Sequence, residues 1–159
     1  VHKIFQIKGR EAGKPMLMVV ANLEQIKPYI VWDERLEIIN KKYWPGPLTV
    51  AVPARLPIAL AHGIVSADGW IAFRVTSNAI AKELTETLGK PLVSTSANVA
   101  GEPPLYSATE IVTKFSVQRE QPDILIDAGD LPKVLPSTII KLAPGRIEII
   151  RQGTITVEL

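Results

Sequence analysis

Short apolar runs alternate with capped, amphipathic segments along this chain, and that alternation restricts the fold more than any other feature. MLMVV (16–20), LTVAV (48–52) and WIAFRV (70–75) have the length of buried strands. Between the first two, Asn22 offers a cap for one helix and Asp33 for a second, whose Leu36, Ile39 and Tyr43 share a face at helical spacing. Trp44-Pro45-Gly46-Pro47 must end that second helix, because prolines remove donors and glycine frees the turn. Ser77 is placed to cap a helix carrying Ile80, Leu84 and Leu88 on one face, closed by Gly89 with Pro91 just beyond. LVST (92–95) follows as a strand, and Ser107 with Glu110 has the spacing of a capping box for a helix holding Ile111 and Phe115. STIIKL and RIEIIR then flank Ala143-Pro144-Gly145, where proline followed by glycine suits a type II turn and hence a hairpin. Early alternation with a closing hairpin predicts an α/β (α+β) chain: a twisted mixed parallel and antiparallel sheet with packed helices.

Composition bounds the chemistry. A chain of 159 residues, 47% hydrophobic and 21% charged, buries a substantial core as one domain. It has no cysteine, which removes disulfides, thiolate metal sites and a cysteine nucleophile and fits a reducing cytoplasm, the expected location. His2 and His62 lie far apart with no matching carboxylate spacing, so a histidine-driven triad or a metal cluster has little support. A formal charge of +2 does not by itself announce nucleic acid. No apolar run reaches the ~18 to 20 residues of a membrane span, and no membrane association is expected.

Neither a Gly-x-x-x-x-Gly-Lys-Ser/Thr loop nor a Gly-x-Gly-x-x-Gly fingerprint is present, so a phosphate site would be built otherwise. Lys8-Gly9-Arg10 with Lys14 gathers cations around Gly9 and Gly13; the cluster suits a polyphosphate, and a solvated basic loop has the same pattern. Arg74 sits in an otherwise apolar strand, where a guanidinium either meets an anion or snorkels to water at the strand end. KPLVSTSANVAG (90–101) ends a strand in Ser94, Thr95, Ser96 and Asn98, which serve as turn-makers or as directional ligand contacts.

In combination these segments resemble a family. IKGREAGKP (7–15), KYWPGPLTV (42–50), IAFRV (71–75), PLVSTSANVAG (91–101), PSTII (136–140) and IIRQG (149–153) stand in the order and spacing of the YrdC-like threonylcarbamoyl-AMP synthases. The resemblance implies a YrdC-like fold and a nucleotidyltransferase that joins L-threonine, bicarbonate and ATP into threonylcarbamoyl-adenylate and pyrophosphate, for threonylcarbamoyladenosine modification of tRNA. Mg²⁺ would accompany the ATP. Further candidate partners are tRNA and the downstream threonylcarbamoyl-transferase proteins.

Carried onto this sequence, the resemblance implies that Arg10, Lys14, Ser96, Asn98 and Arg151 bind ATP, with Lys8 completing the cationic wall and Lys8 and Arg10 acting on the reacting phosphates. Arg74, Ser94 and Ser137 would form the threonine site, Arg74 pairing with the amino-acid carboxylate as a fork. The family pattern usually also has Pro-Thr-Asp-Thr-x-Tyr-Gly-Leu upstream of Lys-x-Arg, so residues 1–159 are expected to be a single YrdC-like domain lacking its N-terminal strand and turn. Residues 1–7 would then be the tail of a helix, with Ile4, Phe5 and Ile7 buried. Val19 stands where some members place a histidine, and Pro103-Pro104-Leu105 where many have Ser-Pro-Thr. Two other readings remain: a non-catalytic RNA or nucleotide-binding module of the same fold, and a carbamoyl-transfer domain related to hydrogenase maturation.

Overall fold

The computed structural model describes residues 1–10, 15–57 and 60–158. Its sheet has six strands in the order β4-β1-β3-β2-β5-β6: β1 (Leu17–Val20), β2 (Leu48–Pro53), β3 (Trp70–Val75), β4 (Leu92–Ser94), β5 (Thr138–Ala143) and β6 (Arg146–Arg151). β1 runs parallel to β3, and β2 parallel to β5, while the β1–β4, β2–β3 and β5–β6 pairs are antiparallel. The expected mixed sheet and closing hairpin are both present, with Gly145 at φ 69° supplying the turn.

Strand periodicity sorts the two faces. Met18, Val50, Phe73 and Ile140 lie in register across four strands and share the core with Leu23, Ile26, Leu36 and Ile39 from the helices. The intervening residues point to the opposite face: Leu17 and Ser94, Val19 and Arg74, Ala51 and Ala72, Thr49 and Ile139. Small Ala51 and Ala72 near the centre leave room there.

Five α-helices accompany the sheet among the described residues. The first, α1 (His2–Lys8), ends at Gly9, whose left-handed φ of 57° turns the chain toward Arg10. Phe5 is buried as expected, whereas Ile4 and Ile7 are only half-buried. Asn22 caps α2 (Leu23–Ile26), its side chain accepting from Gln25 N–H. For α3 (Arg35–Tyr43) the N-cap is Glu34 rather than Asp33. Asp33 instead accepts from the Arg35 backbone N–H and pairs with its guanidinium, which reaches on to the carbonyls of Ala143 and Arg146 and braces the hairpin. Trp44 ends α3; its indole donates to Leu48 O at 2.7 Å and its ring packs 5.2 Å from Phe73.

Asn78, not Ser77, directly precedes α4 (Ala79–Leu88) and caps it, its side chain accepting from Ala81 N–H. Only Ala81 and Thr85 of α4 turn inward, and Ile80, Leu84 and Leu88 stay between 43% and 56% exposed. The capping box of α5 (Ala108–Phe115) forms as its spacing predicts. β4 stops at Ser94, leaving Thr95 outside the ladder. No helix among the described residues is long and apolar enough to cross a membrane.

Candidate active site

The face of the sheet opposite the core carries an open cleft of about 430 Å³. Arg74 rises from β3, Ser94 from the end of β4 and Arg151 from the end of β6. Ser137, just before β5, Arg10, on the turn after α1, and Thr95 and Ser96, on the turn after β4, complete the polar lining. The Nε atoms of Arg74 and Arg10 are buried and have no hydrogen-bond partner among the described residues. Burial, and secondarily the nearby Arg151 charge, push the Arg74 pKa down. A guanidinium held this way is costly until an anion meets it, so the cleft is built for negatively charged oxygen.

A second cavity of about 520 Å³ adjoins the first and shares Arg10 and Ser96 with it, its other walls being Lys8, Gly9, Asn98, Ala100 and Gly101. Lys8 is the last residue of α1 and only 4% exposed. Its ammonium donates to Ser96 O at 2.6 Å, Asn98 O at 2.8 Å and Asn98 Oδ1 at 2.7 Å. All three protons are used, and Ala100 N–H returns to Lys8 O at 2.8 Å. Lys8 thus lines the cavity beside Arg10 and at the same time ties α1 to the turn after β4. Asn98 Oδ1 also accepts from Ser96 Oγ at 2.7 Å, and Nδ2 donates to Glu102 O, leaving one amide N–H for the cavity.

On the far side of the cleft, Arg151 donates through Nε and Nη2 to Ser137 O, and through Nη2 to Ser137 Oγ at 3.2 Å. Ser137 Oγ lies 2.9 Å from Thr49 Oγ1, a fully buried hydroxyl on β2.

Residues 1–153 match the family model Sua5/YciO/YrdC, described as "Telomere recombination". The chain belongs to this family. The threonylcarbamoyl-AMP synthase of Shigella boydii is 34% identical over 157 residues, which is 96% of this chain and 78% of that protein. Among solved structures, Pyrococcus abyssi Sua5 complexed with L-threonine matches with a TM-score of 0.81 at 29% identity, over 96% of this chain but only 44% of the Pyrococcus one. Escherichia coli YciO matches with a TM-score of 0.79 at 25% identity, over 96% of this chain and 72% of its own.

Within this Sua5/YciO/YrdC domain, Arg10, Arg74, Ser94, Ser96, Ser137 and Arg151 converge on one cleft, and Lys8 and Asn98 line its extension. Lys14 falls outside the described residues. Ser137 and Arg151, expected from sequence to serve different ligands, are hydrogen-bonded to each other. Thr49 is hidden inside an apolar run; its only distinguishing signal is that it is the sole hydroxyl in LTVAV.

Proposed function

We propose that this domain is an L-threonylcarbamoyladenylate synthase, a nucleotidyltransferase acting on L-threonine, bicarbonate and MgATP. The observation that carries the reading is Arg74: a half-buried guanidinium whose Nε is buried and, among the described residues, unpartnered, in a cleft that Ser94 and Ser137 also line. That combination suits an amino-acid carboxylate with neighbouring polar groups. Relatives named threonylcarbamoyl-AMP synthase, and the similar Pyrococcus Sua5 structure complexed with L-threonine, point to the same substrate.

In this reading Arg74, Ser94 and Ser137 hold threonine, while Arg10, Lys14, Ser96, Asn98 and Arg151 hold the nucleotide. The threonine amine and bicarbonate give a carbamate and water. A carbamate oxygen then forms its bond to the α-phosphorus of ATP as the bond to the bridging oxygen breaks, and pyrophosphate leaves with the electron pair. Arg10 faces the charge that builds on the departing group, and Lys8 acts by fixing the Ser96–Asn98 turn. Mg²⁺ would enter with ATP as part of the nucleotide substrate and would supply charge neutralisation at its phosphates. The activated threonylcarbamoyl group would pass to an adenosine of tRNA through partner transferases.

Pyrophosphate release from ATP tests this directly. Release is expected only when both L-threonine and bicarbonate are present. ATP hydrolysis indifferent to threonine would overturn the reading, and ATP binding without turnover would return the non-catalytic nucleotide-binding alternative.

A further inference from the structure

We propose that Thr49 is a positioning residue that commits the Ser137 hydroxyl to donating its proton into the cleft. The two hydroxyl oxygens are 2.9 Å apart, a separation that permits either direction of donation. The surroundings select one. Thr49 is fully buried, and among the described residues its Oγ1 has no partner other than Ser137. Were Ser137 the donor, the Thr49 proton would be stranded in a dry site, an arrangement folded proteins avoid. With Thr49 donating, no proton is stranded in the dry site: Ser137 Oγ accepts from Thr49 and from Arg151 Nη2, which fills both lone pairs.

The proton of Ser137 itself is then the one valence left, and Ser137 lines the cleft. Ser137 is thereby a donor toward an anionic oxygen and a poor acceptor for an ammonium or amide. The geometry is rigid, since Thr49 pairs in register with Ile139 of β5 and Thr138 N–H donates to Pro47 O at 3.0 Å. The strand carrying the donor and the turn carrying the acceptor cannot drift apart without breaking the sheet. Given the synthase reading, on which this choice of ligand rests, the oxygen served is a carboxylate oxygen of L-threonine.

The test is Thr49→Val, which keeps the shape and the branching but removes the hydroxyl, with Thr49→Ser as the conservative rescue. Steady-state turnover should show the KM for L-threonine raised about tenfold with a smaller change in kcat, the KM for ATP nearly unchanged, and Thr49→Ser within about twofold of the parent. In a Ser137→Ala background, Thr49→Val should add almost nothing, because the hydroxyl it orients is gone. An unchanged threonine KM in Thr49→Val, a rescue that fails, or full multiplication of the two single effects would overturn the proposal.

Thermal melts accompany each variant; if Thr49→Val does not fold, Thr49→Cys takes its place, its weak thiol donor giving an intermediate rise, and a parental KM there overturns the proposal equally. Calorimetric titration with L-threonine separates this inference from the function it rests on. Threonine binding weakened by Thr49→Val in a protein without pyrophosphate release would sustain the positioning role and overturn the synthase reading. A parent protein that binds no threonine would overturn both.

Discussion

Lys8 at the end of α1 and Asn98 on the turn after β4 are 90 residues apart in sequence, yet the Lys8 ammonium donates to both the backbone carbonyl and the side-chain oxygen of Asn98, at 2.8 and 2.7 Å. The turn that presents Ser96 therefore takes its shape from a buried cation instead of from its own hydrogen bonds alone.

Lys8→Met should accordingly damage fold and function together. Ser96 O and Asn98 O lose their donor, each at a cost of about 1–3 kcal/mol if it stays dry, while Asn98 Oδ1 keeps only Ser96 Oγ, so a clear fall in melting temperature is expected. Turnover should fall about a hundredfold as the Ser96–Asn98 turn loosens. Lys8→Arg should not restore it, because a planar fork cannot match three acceptors converging on one ammonium. Parallel thermal melts and rate measurements check this; parental stability with lost activity would instead place Lys8 directly on the substrate.

A pH dependence follows from the same burial. Desolvation first, and the Arg10 charge second, hold the Lys8 pKa below the usual lysine value. Between that folded pKa and an unfolded value near ~10.4, the unfolded chain binds the extra proton, so the contribution of Lys8 to stability rises with pH across this window. Deprotonation nevertheless removes one of the three donations to the turn. Activity should therefore fall on an alkaline limb that begins below the pKa of a free lysine, while this group adds no loss of stability there. A pH–rate profile set beside melts over the same range would decide it, and a limb appearing only above ~10.4 would exclude Lys8 as its origin.

Sequence made the sheet legible because burial enforces pattern. WIAFRV alternates between core and cleft, so the apolar run alone places Arg74 on a strand. Caps were legible to within a residue: Asn78 displaced Ser77, and Glu34 displaced Asp33, because which short polar side chain reaches the first free N–H depends on backbone angles that composition does not carry. The apolar stripe of Ile80, Leu84 and Leu88 has helical period, but period does not say what covers it. Polar pairing was the least legible. Nothing local in Lys8-Gly9-Arg10 distinguishes the buried Lys8 from its neighbours, and Thr49 reads as one more β-branched residue because its partner, Ser137, lies 88 positions away.

Arg74→Leu tests whether the cleft trades stability for function. Arg74 is a half-buried charge whose buried Nε has no partner among the described residues. Leucine there would remove the desolvation cost and relieve repulsion from Arg151, so the melting temperature of the ligand-free protein should hold or rise. Threonine-dependent turnover should vanish, since the group proposed to meet the carboxylate is gone. A variant that melts markedly earlier would show that Arg74 supports the fold.

Gly153 offers a last discrimination, between the cleft and the hairpin that frames it. A Cβ on Gly153 would overlap Pro136 O, the Ser137 carbonyl carbon and Thr138 N, all of them backbone atoms that cannot rotate aside. Gly153→Ala should therefore push the Pro136–Thr138 segment outward, at a cost of about 1–3 kcal/mol that exceeds the gain from a stiffer unfolded chain. Because Ser137 sits in that segment and accepts from Arg151, the KM for threonine should rise along with the loss of stability. Gly145→Ala is the matched control: its φ of 69° strains any side chain, yet the added Cβ meets nothing within 4 Å, at the opposite end of the same hairpin. It should lower stability by about 1 kcal/mol and leave the threonine KM untouched. Equal effects of the two substitutions on KM would mean that the hairpin as a whole governs the site, and that Gly153 owes its place to folding alone.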